Sequence, residues 1–338
     1  MVILDCYGKI TPICISNKLG LFIANIPKEE GNNCLEWIIN EIDLAVKFDR
    51  HYKKIFNINF PCGIKNLYTT LFPNEILPNK FTRDNYNKIA EHMIYIYQEY
   101  DYQDMPLGGF ETNCFDDRYC EEEYAEKIIN FIQFISHMNT SAWNIPEPVP
   151  QWVYSSNHFD VNYSRIFYGG KPAGEYIVSL QKWGNILDDF LKTRNDYLLF
   201  DYLVNMIYKH NGCDMNHLIK AYSLCQLFLE KDKEIELDKK LPNFLNCYGE
   251  NKDKKYLAKL LRKMRNKIAH GDFIGFENLV EIYANEFLDK DFDFDYTEYS
   301  RKNWVLLNVC CLLDDVVRKL ICMLLFNKDE LYKIKFAK

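Results

Sequence analysis

The clearest periodicity in the chain lies at 254–270, where Tyr256, Leu257, Leu260, Leu261, Met264 and Ile268 recur at three- and four-residue steps. That is one apolar stripe of period 3.6. Gly271 stands where a left-handed C-terminal cap is expected, so the pattern predicts a helix that stops at the glycine. Similar stripes predict helices over 177–209, broken near Thr193, over 215–231 and over 301–326. Upstream the pattern changes. Residues 2–26 alternate apolar and polar positions around Gly8-Lys9 and Asn17-Lys18, the mark of short antiparallel strands. Helical spacing follows over 35–48, over 84–100 with Ile89, Met93, Ile96 and Tyr97 on one face, and over 121–138. The Pro-rich run 145–151 breaks helix, and the β-branched and aromatic residues of 152–167 predict one or two further strands.

The Gly-Gly-Lys-Pro-Ala-Gly stretch at 169–174 reads as a turn and as the boundary between two parts. The expected fold is therefore mainly α: a helical domain over 173–338, a bundle of four or five helices, behind a smaller mixed α+β domain over 1–172. One link in the bundle grows to roughly thirty residues after Gly271 and holds the tract DFDFDY at 291–296, which reads as an acidic aromatic loop.

Composition bounds the function classes. With 338 residues, 48% of them hydrophobic, the chain buries a sizeable core. No stretch reaches the ~20 apolar residues that span a bilayer, and the N-terminus lacks a basic segment followed by an apolar run. The nearest candidate, 305–326, is interrupted by Asp314, Asp315, Arg318 and Lys319 at helical spacing and reads as an amphipathic core helix. A cytoplasmic protein without membrane contact is expected. The twelve Cys residues form no Cys-x-x-Cys pair and have no His at zinc-finger spacing, so they read as small buried residues in a reducing compartment, with no metal and no cofactor implied. Cys213 and His217, at i and i+4, are a chance spacing by the same reasoning.

Net charge is −7, which argues against nonspecific coating of nucleic acid. The charge is unevenly placed: residues 1–172 hold 15 Lys and Arg against 22 Asp and Glu, whereas 173–338 hold 26 of each. Lys252, Lys254, Lys255, Lys259, Arg262, Lys263, Arg265 and Lys267 crowd the 254–270 helix against Asp253 alone. A solvated face accounts for Lys252 to Lys255. Arg262 and Arg265 call for more, because they share a polar row with chemistry.

The chemistry lies in the string Arg265-Asn266-Lys267-Ile268-Ala269-His270-Gly271. Arg is permanently charged and presents a planar donor fork suited to phosphate oxygens, and His gives or takes a proton near neutrality. Arg262, Asn266 and His270 follow at i, i+4 and i+8, so Asn266 is expected beside His270, biasing its tautomer. Arg265 and His270 differ by five residues, about 140° around a regular helix and roughly 7.5 Å along it. Either the last turn is distorted or a second copy of the helix completes a site. A helix-terminal His before Gly also has a purely structural use, as a cation at the negative end of the helix dipole.

The RNKIAHG string, with "LCQLFLEK" on an earlier helix, "LPNFL" between helices and "LLRKMRNKIAHGDF" around it, resembles the HEPN superfamily (higher eukaryotes and prokaryotes nucleotide-binding), and within it the Apea-like branch. The resemblance covers the C-terminal 160 residues or so. It implies a metal-independent endoribonuclease acting as a homodimer with facing motifs. His270 would be general acid or base, Arg265 would stabilise the transition-state charge, and Asn266 would orient the His or the phosphate. Glu230, at the end of the 215–231 helix, would hold Arg265 or His270, with a plain surface Glu as the alternative. Lys259, Arg262, Lys263 and Lys267 would contact RNA phosphates. Such proteins resemble toxins and antiphage effectors, with an N-terminal domain through which an activator or inhibitor would act. The alternative is a non-catalytic HEPN module that binds RNA or nucleotides and dimerises.

Overall fold

The computed structural model describes residues 2–6, 9–25, 68–69, 71–99, 114–136, 153–154, 171–208, 212–231, 237–246, 253–288 and 298–336. It is mainly helical, with a small antiparallel sheet near the N-terminus. In chain order the elements are β1 (Val2–Cys6), β2 (Ile13–Ser16), β3 (Leu21–Asn25), α1 (Arg83–Ala90), β4 (Met93–Gln98), α2 (Cys114–Ser136) and β5 (Val153–Tyr154). Then come α3 (Lys171–Phe190), α4 (Arg194–Ile207), α5 (Met215–Leu229), the short α6 (Leu237–Lys240) with a 3-10 turn at Leu241–Asn243, α7 (Lys254–Ala269), α8 (Phe273–Phe287), α9 (Glu298–Phe326) and α10 (Lys328–Phe336). The predicted helix at 35–48, the Pro-rich run 145–151 and the tract 291–296 lie outside the described residues.

Two compact units emerge: Met1–Ser136 with Ser141–Phe200, and His137–Thr140 with Asp201–Lys338. In the first, the strands run in the order β2-β3-β4-β1-β5, each pair antiparallel. Leu21, Ile23, Ile94 and Ile96 are fully buried, and Phe22 stacks on its cross-strand partner Tyr97 at 5.6 Å. Here the predicted helix at 84–100 needs correction. It ends after Ala90, and Met93–Gln98 is a strand between β3 and β1. The alternation of Ile94 and Ile96 with Tyr95 and Tyr97 suits a pleated surface, and tertiary pairing overrides the helical spacing that Ile89 and Met93 suggest.

Residues 171–174 begin α3 rather than forming a turn, and α3 packs on the sheet. A Cβ at Gly184 would lie 1.9 Å from the Ile15 carbonyl oxygen, so only glycine permits this approach of helix to strand. Asp188 then closes the β2–β3 turn, accepting from Ser16 Oγ at 2.5 Å and from the Asn17 and Lys18 amides at 2.9 and 3.1 Å. Lys18 Nζ returns the contact, donating to the Asp188 and Leu191 carbonyls at the end of the helix. The break expected near Thr193 is real: the Thr193 amide donates to Asp196 Oδ2 at 2.9 Å, and the Asp196 amide donates to Thr193 Oγ1 at 3.3 Å, a reciprocal start for α4.

The second unit is built on α5 and α9. Leu218, Ala221, Leu224, Cys225 and Phe228 on α5 face a buried stripe of α9 that includes Val305, Val309, Leu313, Val316 and Leu320. Asp314 is buried in this interface instead of joining the polar face. Its Oδ1 lies 2.9 Å from His217 Nε2, whose other ring nitrogen accepts the Cys213 amide at 3.3 Å. Both nitrogens are thus engaged, and Cys213 takes φ +44°. Burial pushes the thiols of Cys225, Cys310 and Cys322 upward, which makes them inert core residues. Among the described residues no helix is long and apolar enough to cross a membrane.

The stretch after Gly271 is another correction. Instead of a long loop it begins with α8, antiparallel to α7 and stacked on it through Tyr256 and Phe287 at 6.1 Å. Phe276, Leu279, Val280 and Tyr283 bury the inner face of α8 against α7 and α9, a period-3.6 stripe hidden among the apolar residues Phe273, Ile274 and Ile282 on its exposed side.

Candidate active site

Helix α7 carries the RNKIAHG string, and both of its ends are capped. Asp253 accepts from the amides of Lys255 and Tyr256 at 2.8 and 3.1 Å. At the other end His270 is the cap residue and Gly271 takes φ +70°. The Gly271 amide donates to the Ile268 carbonyl at 3.0 Å and the Asp272 amide to Lys267 at 2.9 Å, the paired bonds of a Schellman motif. Asp272 immediately starts α8 by accepting from the Gly275 amide at 2.8 Å, and it also pairs with Lys267 Nζ at 2.5 Å. The Lys267 ammonium, with the Gly275 amide second, holds the Asp272 carboxyl below its ordinary value.

Leu257, Ala258, Leu260, Leu261 and Met264 bury one side of α7. Arg265 borders that side, half-buried, and turns toward α5. Its Nη2 donates to Gln226 Oε1 at 2.7 Å, its Nη1 to Asn266 Oδ1 at 2.8 Å, and its guanidinium lies 5.6 Å from the centre of the Tyr222 ring. Gln226 Nε2 donates in turn to Glu230 Oε2 at 3.1 Å, so Glu230 reaches Arg265 through an amide. Burial raises the Tyr222 hydroxyl well above the ordinary phenol range, Asp238 and Glu230 add to the shift, and Arg265 opposes it. That hydroxyl stays protonated at neutral pH and is no general base.

His270 is exposed at the cap, and among the described residues its imidazole has no hydrogen-bond partner. The i, i+4 spacing predicts a contact between the Asn266 and His270 side chains; what is present instead is a bond from Arg265 Nη1 to the Asn266 side-chain carbonyl, and among the described residues no hydrogen bond joins Asn266 to the imidazole. Lys259 and Lys263 are exposed. Arg262 is not on the same footing as these lysines. Its Nε and Nη2 grip the Asp238 carboxylate at 3.0 to 3.1 Å, a part-buried pair that ties α7 to α6. Lys267 likewise serves the α7–α8 corner through Asp272.

The chain thus brings Arg265, Asn266 and Glu230 into one network, leaves His270 exposed at the helix cap, and assigns Arg262 and Lys267 to structural pairs. Gln226, Tyr222, Asp238 and Asp272 were missed by sequence reasoning. Gln226 left a signal: it is an amide between Leu224-Cys225 and Leu227-Phe228-Leu229, four residues before Glu230. Among the described residues no group of three His, Cys, Asp or Glu side chains is placed to hold a metal ion. Comparison of the chain with family models, curated protein sequences and solved structures finds no match.

Proposed function

We propose that the helical unit is a metal-independent endoribonuclease of HEPN type, working as a homodimer, in a cytoplasmic toxin or antiphage effector whose N-terminal part senses or restrains. The observation that carries this reading is Arg265: a guanidinium held half-buried by Gln226 and Asn266, at the helix end that also presents the exposed imidazole of His270. Together they supply a fixed charge for phosphate and a group that moves protons. In the reaction the ribose 2′-oxygen loses its proton and attacks the adjacent phosphorus, the bond from phosphorus to the 5′-oxygen breaks, and that oxygen takes up a proton. The products are a 2′,3′-cyclic phosphate and a 5′-OH. Arg265 would stabilise the extra charge on the pentacoordinate phosphorus. One imidazole cannot be base and acid in the same step, so the second His270 comes from a partner copy. Lys259 and Lys263 would hold flanking phosphates.

The test is incubation of the purified chain with total RNA in EDTA, with His270→Ala and Arg265→Ala as controls. Cyclic-phosphate ends are expected from the wild type and from neither variant, both variants keeping the wild-type fold and oligomeric state. Equal cleavage by all three proteins sinks the proposal. A second reading has its own support in the turn of Arg265 toward α5, with no hydrogen bond to His270 among the described residues: a HEPN module that binds RNA and dimerises without cleaving it. It predicts retained RNA with no cyclic-phosphate product.

A further inference from the structure

We infer that Gln226 is the positioning residue of Arg265, resting on the reading of Arg265 as the phosphate-binding group. Arg is donor-only, so an amide facing it must present its oxygen and turns its NH2 to the next acceptor. Gln226 has that orientation: Oε1 accepts from Arg265 Nη2 at 2.7 Å and Nε2 donates to Glu230 Oε2 at 3.1 Å. The amide cannot flip without setting donor against donor at Arg265. Gln226 and Glu230 are one turn apart on α5, and Glu230 is fixed as the cap residue of that helix, its amide bonded to the Gln226 carbonyl at 2.9 Å. The Glu230 side chain thus holds the NH2 end of the Gln226 amide, and the amide oxygen holds one edge of the guanidinium. Asn266 holds Nη1 and the Tyr222 ring lies against the guanidinium, which leaves the side chain little rotational freedom. A guanidinium held in this way is pre-organised for a phosphate, and it loses little entropy when the anion arrives.

Substitutions separate the two halves of this relay. Gln226→Met keeps the volume and removes both hydrogen bonds. Gln226→Glu keeps the acceptor for Arg265 but sets two carboxylates against each other at the Glu230 contact. Gln226→Glu with Glu230→Gln restores one carboxylate and one amide in reversed order, with the charge unchanged.

The direct readout is the side-chain NMR signal of Arg265 in the full-length protein labelled with 15N-arginine, assigned with Arg265→Lys. Wild type is expected to show slow guanidinium rotation, Gln226→Met averaged signals, and the Gln226→Glu with Glu230→Gln double variant slow rotation again. In RNA cleavage the single variants are expected to lower kcat by about 10- to 100-fold, the scale of a catalytic group displaced by an ångström, with KM nearly unchanged. An unchanged Arg265 signal in Gln226→Met overturns the inference. Cleavage lost in His270→Ala but intact in Gln226→Met also overturns it while leaving the nuclease reading in place. Cleavage that His270→Ala leaves untouched removes the nuclease reading instead, and the Arg265 signal alone then decides for or against Gln226.

Discussion

Gly271→Ala isolates the contribution of one backbone angle to the end of α7. Gly271 has φ +70°, where an L side chain is strained, yet a Cβ built there meets nothing within 4 Å. No steric clash enters, so the cost reduces to two backbone effects. Placing a non-glycine residue in the left-handed region costs about 1–2 kcal/mol, and the reduced freedom of the unfolded chain returns about 0.4–1 kcal/mol. The net loss is about 1 kcal/mol. For a unit of this size that lowers Tm by roughly 3–5 °C. Gly271→Asn, which visits this region more readily, is expected to lose less. The assay is thermal denaturation together with amide exchange of Gly271 and Asp272, whose N–H groups bond to Ile268 and Lys267. Both amides should exchange faster in the Ala variant and remain protected in the Asn variant. A loss of ~3 kcal/mol or more in Ala, or equal losses in Ala and Asn, would refute the account, because neither follows from backbone strain alone.

Other expectations follow from the packing. Gly184→Ala ordinarily stabilises a helix interior by about 1 kcal/mol, but its Cβ would stand 1.9 Å from the Ile15 carbonyl oxygen; chemical denaturation of the N-terminal unit should instead show a loss of about 2–3 kcal/mol. Asp314→Ala leaves His217 Nε2 without its buried acceptor and should cost on the order of 3 kcal/mol. Asp314→Asn keeps an acceptor oxygen and should cost less than half of that in the same melt. The Asp272 carboxyl lies below its ordinary value of 3.8 because of Lys267 and the Gly275 amide, so its contribution is fully present above that value and is lost as pH falls through the lower, folded-state value. Protection of the Gly275 amide should collapse in that acid range, and Asp272→Asn should remove the pH dependence.

Helices α5, α7 and α9 were legible in the sequence to within a few residues, as was the break between α3 and α4, because each buries one stripe of period 3.6. The Gly271 cap was legible because a single residue type serves that angle. Strand β4 was not: Met93 to Gln98 satisfies both periods, and its partners β3 and β1 lie some seventy and ninety residues away in the chain. Helix α8 was hidden for the opposite reason, since apolar residues on both its faces blur the stripe. At the candidate site, residue types singled out Arg265, His270, Asn266 and Glu230 but not Gln226, the partner of Arg265 on α5. Asp238 and Gln226 meet Arg262 and Arg265 only after α6 and α5 pack on α7, and nothing within α7 itself announces those contacts.

The regular end of α7 decides between two ways of completing the proposed site. A distorted last turn would let one chain close Arg265 and His270 on the same phosphate, but α7 stays helical to Ala269 and finishes in a complete Schellman motif. On the proposed reading, with Arg265 turned toward α5 and His270 at the cap beyond the last helical residue, the arrangement expected is one in which a second copy completes the site. A twofold axis near His270 would bring two imidazoles to one site, one as base and one as acid. Subunit mixing reads this out. If each site needs His270 from both chains, equal amounts of wild type and His270→Ala, exchanged to equilibrium, leave only the wild-type pairs active, about a quarter of the dimers. If each chain works alone, about half of the activity survives. Cleavage at about half of the wild-type rate at the same total protein, with exchange verified by mass spectrometry, would therefore exclude the shared site, whereas a quarter requires both histidines.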